Sequence, residues 1–72
     1  MPNTSMKVHS SHINTINYDN HHMLLSITFN DGSVYNYNNV PANVYEQLAH
    51  SGSKGSYLHN HIKGKYVTTK LR

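Results

Sequence analysis

The sequence predicts a small α+β domain: a three-stranded antiparallel sheet with one or two helices packed on one face, in the order β-β-β-α-α. Three observations carry that expectation. Residues 23–37 form two alternating runs joined by Asn30-Asp31-Gly32, a hairpin signal. After Val40-Pro41, apolar side chains recur three, four and seven positions from the proline, the spacing of one helix face. The chain has 72 residues and no cysteine. No disulfide can staple so short a chain, which relies on one compact apolar cluster and gains from self-association as a homo-oligomer.

Taken in order, residues 1–7 are expected to be a flexible N-terminus. Residues 10–19, "SSHINTINYD", are rich in isoleucine, threonine and tyrosine and read as a first strand that stops at Asp19-Asn20. "MLLSITF" is the clearest strand, with Leu25, Ile27 and Phe29 alternating with Leu24, Ser26 and Thr28. "SVYNYNN" follows the turn, with Tyr35 and Tyr37 alternating with Asn36 and Asn38.

Turn geometry decides where those tyrosines point. A two-residue turn at Asp31-Gly32 would pair Phe29 with Val34 and put both tyrosines opposite the core. A three-residue turn, with Gly32 as a bulge, pairs Phe29 with Ser33 and puts them beside Leu25 and Ile27. One step of register flips every side chain. The second register sorts the apolar residues from Ser26, Thr28, Asn36 and Asn38, and is the one expected.

"VPANVYEQLAHSG" reads as a helix with Pro41 at its first position, a stripe of Val44, Tyr45 and Leu48, and Gly52 as terminator. "SKGSYLHNHIKG" reads as a shorter helix capped by Ser53, with Leu58 and Ile62 on one face and Gly64 at its end. Residues 8–66 are thus expected as one domain, and residues 67–72 as a basic tail or a short edge strand.

The net charge of +3 is unevenly spread. Lys54, Lys63, Lys65, Lys70 and Arg72 meet no acidic residue after position 53, whereas Lys7 faces Asp19, Asp31 and Glu46 before it. A basic quarter of this kind favours a polyanionic partner, although it equally serves as a solvated face. No apolar run approaches the ~20 residues of a membrane span, and the N-terminus lacks a secretory layout. No membrane partner and a cytoplasmic setting are expected.

The run "SGSKGSYLHNHIKGKY" holds the strongest functional signal. If Ser53 caps a helix, the first-turn amides of Lys54, Gly55 and Ser56 face outward and favour an anion. Gly55 allows close approach, the serines add hydroxyls and Lys54 adds charge. The same residues also suit an ordinary helix start after a turn, and the spacing of a P-loop is absent. The expected phosphate or nucleotide site is Ser53, Lys54, Gly55, Ser56 and Tyr57, with Asn60, His61, Lys63, Lys65 and Tyr66 downstream. Lysines interleaved with tyrosine suit nucleic acid, while the single arginine argues against base reading in a major groove. Tyr35 and Tyr37 form a candidate stacking pair on the sheet, although the expected register also makes them core residues.

Enzyme chemistry has little to draw on, with three acidic residues and no nucleophile elbow. Seven histidines are present, but His9/His12, His21/His22 and His59/His61 match neither a zinc finger nor a zincin helix, so no metal or other cofactor is expected.

In order and spacing, Ser10-Ser11, Ile16 to Asp19, Tyr35-x-Tyr37, Val40-Pro41, Ser53-x-Gly55-x-Tyr57 and Ile62 with Tyr66 resemble the KTSC family. That family is named for a domain at the C-terminus of some lysyl-tRNA synthetases and also occurs as a stand-alone small protein in bacteria and phages. The attachment to a synthetase implies RNA binding. Where the family is commonly arginine-rich around the second helix, this chain carries Lys63 and Lys65. The expected function is a non-catalytic module for RNA or another phosphate-bearing ligand. Two alternatives use the same surface: a phage-encoded oligomeric sponge for a small cyclic nucleotide immune signal, and a protein-interaction module acting against host defence. Either would place the protein in a bacterial cell or a phage-infected host.

Overall fold

The computed structural model describes residues 3–7 and 12–72. Among these residues the chain forms one antiparallel meander of five strands in sequential order. They are β1 (Asn3–Lys7), β2 (Ile13–Asp19), β3 (Leu24–Phe29), β4 (Val34–Tyr37) and β5 (Thr68–Lys70). Between β4 and β5 run α1 (Ala42–Ala49), α2 (Lys54–Tyr57) and a π-helical turn, Leu58–Ile62. The α+β class and the helices after the central hairpin stand as expected, and the strand count of three is corrected to five. Asn3–Lys7, expected to be loose, pair with β2 from Asn3↔Asp19 to Lys7↔Thr15. The tail takes the edge-strand form and pairs with β4. Positions 8–11, which include Ser10-Ser11 and His9, lie outside the described residues.

The central hairpin has the three-residue turn. The Phe29 N–H donates to the Ser33 carbonyl at 2.9 Å, and the Gly32 N–H donates to the Phe29 carbonyl at 3.0 Å. Gly32 sits at φ +91, where L side chains are strained and glycine is not. Open space surrounds it, so Gly32→Ala tests the conformational term alone. It is expected to cost about 1–2 kcal/mol in urea unfolding. An unchanged midpoint would contradict this turn.

That turn stacks Ile16, Ile27 and Tyr35 across one face, with Tyr18, Leu25 and Tyr37 in the neighbouring row. Asn17, Ser26 and Asn36 lie across the other face, where the Ser26 hydroxyl donates to Asn36 Oδ1 at 2.6 Å. The helices cover the apolar face. Ile13, Ile16, Leu25, Ile27, Val40, Leu48 and Ile62 are fully buried, with Tyr45 and Leu58 beside them.

Two devices tie α1 to the sheet. Tyr18 donates its hydroxyl to the Val40 carbonyl, and its ring stacks on Tyr45 with centroids 4.6 Å apart. The Val40 N–H donates to the carbonyl of Met23, which turns the β2–β3 loop at φ +54. Asp19 organises that loop by accepting the amides of His21 and His22 and the His22 ring N–H at 2.8 Å. Pro41 is the cap of α1 rather than its first helical residue. Its ψ of 154 is extended, and its carbonyl accepts the amides of Val44 and Tyr45.

Burial pushes the hydroxyls of Tyr18, Tyr37 and Tyr45 above the ordinary tyrosine range, with the charges of Asp19 and Glu46 adding to it for Tyr18 and Tyr45. The fold therefore prefers their neutral forms. Their contribution is intact below about pH 10 and is lost as pH climbs past it. The expected result is a melting temperature that falls steeply above about pH 10, with tyrosinate absorbance rising together with unfolding. Titration of Tyr18, Tyr37 and Tyr45 near pH 10 in a still-folded protein would contradict their burial.

Candidate functional site

The expected anion site lies at the start of α2. This α-helix has four residues before it widens into the π turn, which the Lys63 N–H closes by donating to the Leu58 carbonyl at 2.8 Å. The wider turn brings Leu58 and Ile62 both into the core. The Ser53 hydroxyl makes no capping bond, which corrects its expected role. Its amide donates instead to Ser51 Oγ at 3.1 Å, so Ser51 organises the junction. Lys54 folds back, and its ammonium donates to the Ser51 carbonyl at 3.0 Å. Its charge therefore braces the link between the helices rather than standing free at the entrance. Gly55 is half-buried and Ser56 exposed.

Tyr57 is half-buried. It donates its hydroxyl to Gln47 Oε1 at 2.7 Å, and its ring lies 4.5 Å from that of His61, centroid to centroid. Asn60 and His61 are exposed on the π turn, and Lys63 and Lys65 are exposed just after it. Tyr66 is half-buried against the core.

The stacking pair divides. Tyr37 is 2% exposed and belongs to the core, so only that small remnant of it meets the cleft that Tyr35 lines. Tyr35 is half-buried. It sits edge-to-face with Phe29, centroids 5.6 Å apart, and the Lys70 ammonium stands 5.8 Å from its ring centroid. Phe29 and Tyr35 line a cleft of about 590 Å³ at the turn end of the sheet, together with Tyr37, Asp31, Ser33 and Lys63, and Lys70 stands beside Tyr35 outside that lining. Lys63 thus lines the cleft, while Lys70 on β5 stands over the Tyr35 ring. Asp31 Oδ1 accepts the Ser33 hydroxyl at 2.6 Å and the Ser33 amide at 2.9 Å. Those bonds, and behind them the charge of Lys70, hold the Asp31 carboxyl below the usual carboxylate range.

The expected residues are therefore not brought together. Ser53 to Tyr57 mark the helix junction, Tyr35, Tyr37 and Lys63 line the cleft, and Asn60, His61, Lys65 and Tyr66 are not among its lining. Phe29 and Asp31 also line the cleft and were not among the expected site residues. The hairpin register already places Phe29 beside Tyr35. Lys70, one of the basic residues expected to favour a polyanion, reaches the Tyr35 ring through the docking of β5, a long-range event.

The sequence model of the KTSC domain matches residues 9–66. The chain belongs to the KTSC domain family. KTSC relatives include the lysine–tRNA ligase of Trichormus variabilis, 41% identical over 66 residues, and that of Nostoc punctiforme, 39% identical over 66 residues. Each alignment covers 92% of this chain and 12% of the ligase, so the KTSC chain spans about an eighth of those relatives. The crystal structure of a KTSC domain protein from Yersinia pestis superposes with a TM-score of 0.89 at 32% identity, covering 97% of this chain and 99% of that one. The meander with its helices is therefore the KTSC fold. Among the described residues, no helix is long and apolar enough to cross a membrane.

Proposed function

We propose that this KTSC domain is a non-catalytic binding module for a phosphate-bearing ligand, with RNA as the first candidate, working in the cytoplasm. The observation that carries the reading is a cleft walled by the Tyr35–Phe29 pair and Lys63, with the Lys70 ammonium over the Tyr35 ring. Cations that neutralise phosphate beside a ring on which a base can stack are the two components of single-strand binding. The reading is supported by relatives that are lysine–tRNA ligases, proteins that handle an RNA, with this domain as a small part of their length. Lysine, unlike arginine, acts on phosphate as a point charge, which suits sequence-tolerant binding.

Calorimetry with a single-stranded RNA hexamer and, in parallel, a cyclic dinucleotide tests this. The hexamer should bind and the cyclic dinucleotide should not. Tight binding of the cyclic compound alone would replace the RNA reading with that of a nucleotide sponge, and no heat from either would overturn the proposal.

A further inference from the structure

We propose that the Phe29–Tyr35 cleft holds the base of one unpaired nucleotide, with Lys63 and Lys70 on its phosphates. This rests on the RNA reading above and gives that reading a location distinct from the α2 junction. The cleft volume of about 590 Å³ falls within the roughly 300–1,000 Å³ of small-ligand sites. One part of its wall is aromatic, formed by Phe29, Tyr35 and Tyr37. Phe29 fixes the Tyr35 ring edge-to-face, so the ring is already oriented before a base arrives.

Lys70 stands 5.8 Å from the Tyr35 centroid, near the outer limit of a cation–π contact. Its side chain belongs to an exposed edge residue, so the ammonium can move to a phosphate while a base takes the ring. Lys63 reaches the same cleft from the end of the π turn. Asp31 gives the nucleotide a direction. Its carboxylate repels phosphate from its own corner and accepts hydrogen bonds from a base amino group or a ribose hydroxyl. Phosphate is thus sent to the lysines and the donor edge to Asp31. Lys54 takes no part, because its ammonium is engaged with Ser51.

The test is a heteronuclear NMR titration of the full chain with the four nucleoside 5′-monophosphates and, separately, with a single-stranded RNA hexamer. Shifts are expected at Phe29, Ser33, Tyr35, Lys63 and Lys70, with Ser53 and Ser56 silent. Lys63→Gln combined with Lys70→Gln should weaken monophosphate binding at least tenfold. Tyr35→Leu should do the same, and the lysine variant carries the test if the leucine variant fails to fold. Hexamer binding that shifts the α2 junction and leaves the cleft silent would overturn this site and spare the RNA reading. Monophosphates bound in the cleft without hexamer binding would support the site and remove the RNA reading. Silence with every ligand would overturn both.

Discussion

Replacing Ile27 by alanine is expected to remove about 2–4 kcal/mol of stability. Ile27 is fully buried in β3 and lies between Ile16 and Tyr35 in its row. Truncation loses the transfer energy of three carbons and leaves a cavity that flanking strands cannot collapse to fill. A domain this small has on the order of 5 kcal/mol to lose. The variant should therefore melt at least 10 °C lower, or be largely unfolded at 37 °C, when followed by circular dichroism. Thr28→Ala, one residue away on the opposite face, should shift the melt only slightly. Equal effects at the two positions would contradict the assignment of faces.

The second large effect concerns binding. Lys63→Gln, Lys65→Gln and Lys70→Gln together should weaken single-stranded RNA binding roughly a hundredfold at 0.1 M salt. Each phosphate neutralised on a single strand contributes about 0.7 log unit per decade of salt, so three contribute about two decades between 0.1 and 1 M. All three side chains are exposed, so the melting temperature should barely change, which separates lost attraction from lost fold. Fluorescence anisotropy with a labelled oligonucleotide reads the effect. A triple variant that binds as tightly as the parent would place the contacts elsewhere.

The parts of the fold legible in the sequence are those fixed by local rules. Gly32 and the alternation from Leu25 to Tyr37 together select the three-residue turn, because only that register buries both tyrosines beside Ile27 and Leu25. The stripe of Tyr45 and Leu48 is likewise a local pattern, and both residues are buried as it requires. β1 and β5 were harder to read. "NTSMK" and "TTK" offer almost no apolar alternation, and each is an edge strand defined by its ladder to a neighbour. Such pairing is decided by distant chain and not by local composition. The π turn also escapes local rules, since the helical spacing of Leu58 and Ile62 does not reveal that their shared burial is reached through an i to i−5 bond.

The site followed the same division. Tyr35 and Lys63 were singled out by residue type, but Ser53 and Lys54 were expected to face a ligand. The structure uses the amide of one and the ammonium of the other to bind Ser51. Serine, glycine and lysine at a helix start serve a chain reversal as readily as a phosphate, and only three-dimensional partners distinguish the two. The cleft combines β3, its turn, β4 and Lys63 after the π turn, so no single window of sequence contains it.

The salt dependence of single-stranded RNA affinity bears most directly on phosphate recognition by Lys63 and its neighbours. Measured for the unmodified chain between about 0.05 and 0.5 M monovalent salt, log K should fall linearly against log salt with a slope near −2, as three engaged phosphates require. A flat line, or no detectable complex at about 0.05 M salt, would contradict the claim that this basic quarter of the chain binds a polyanion.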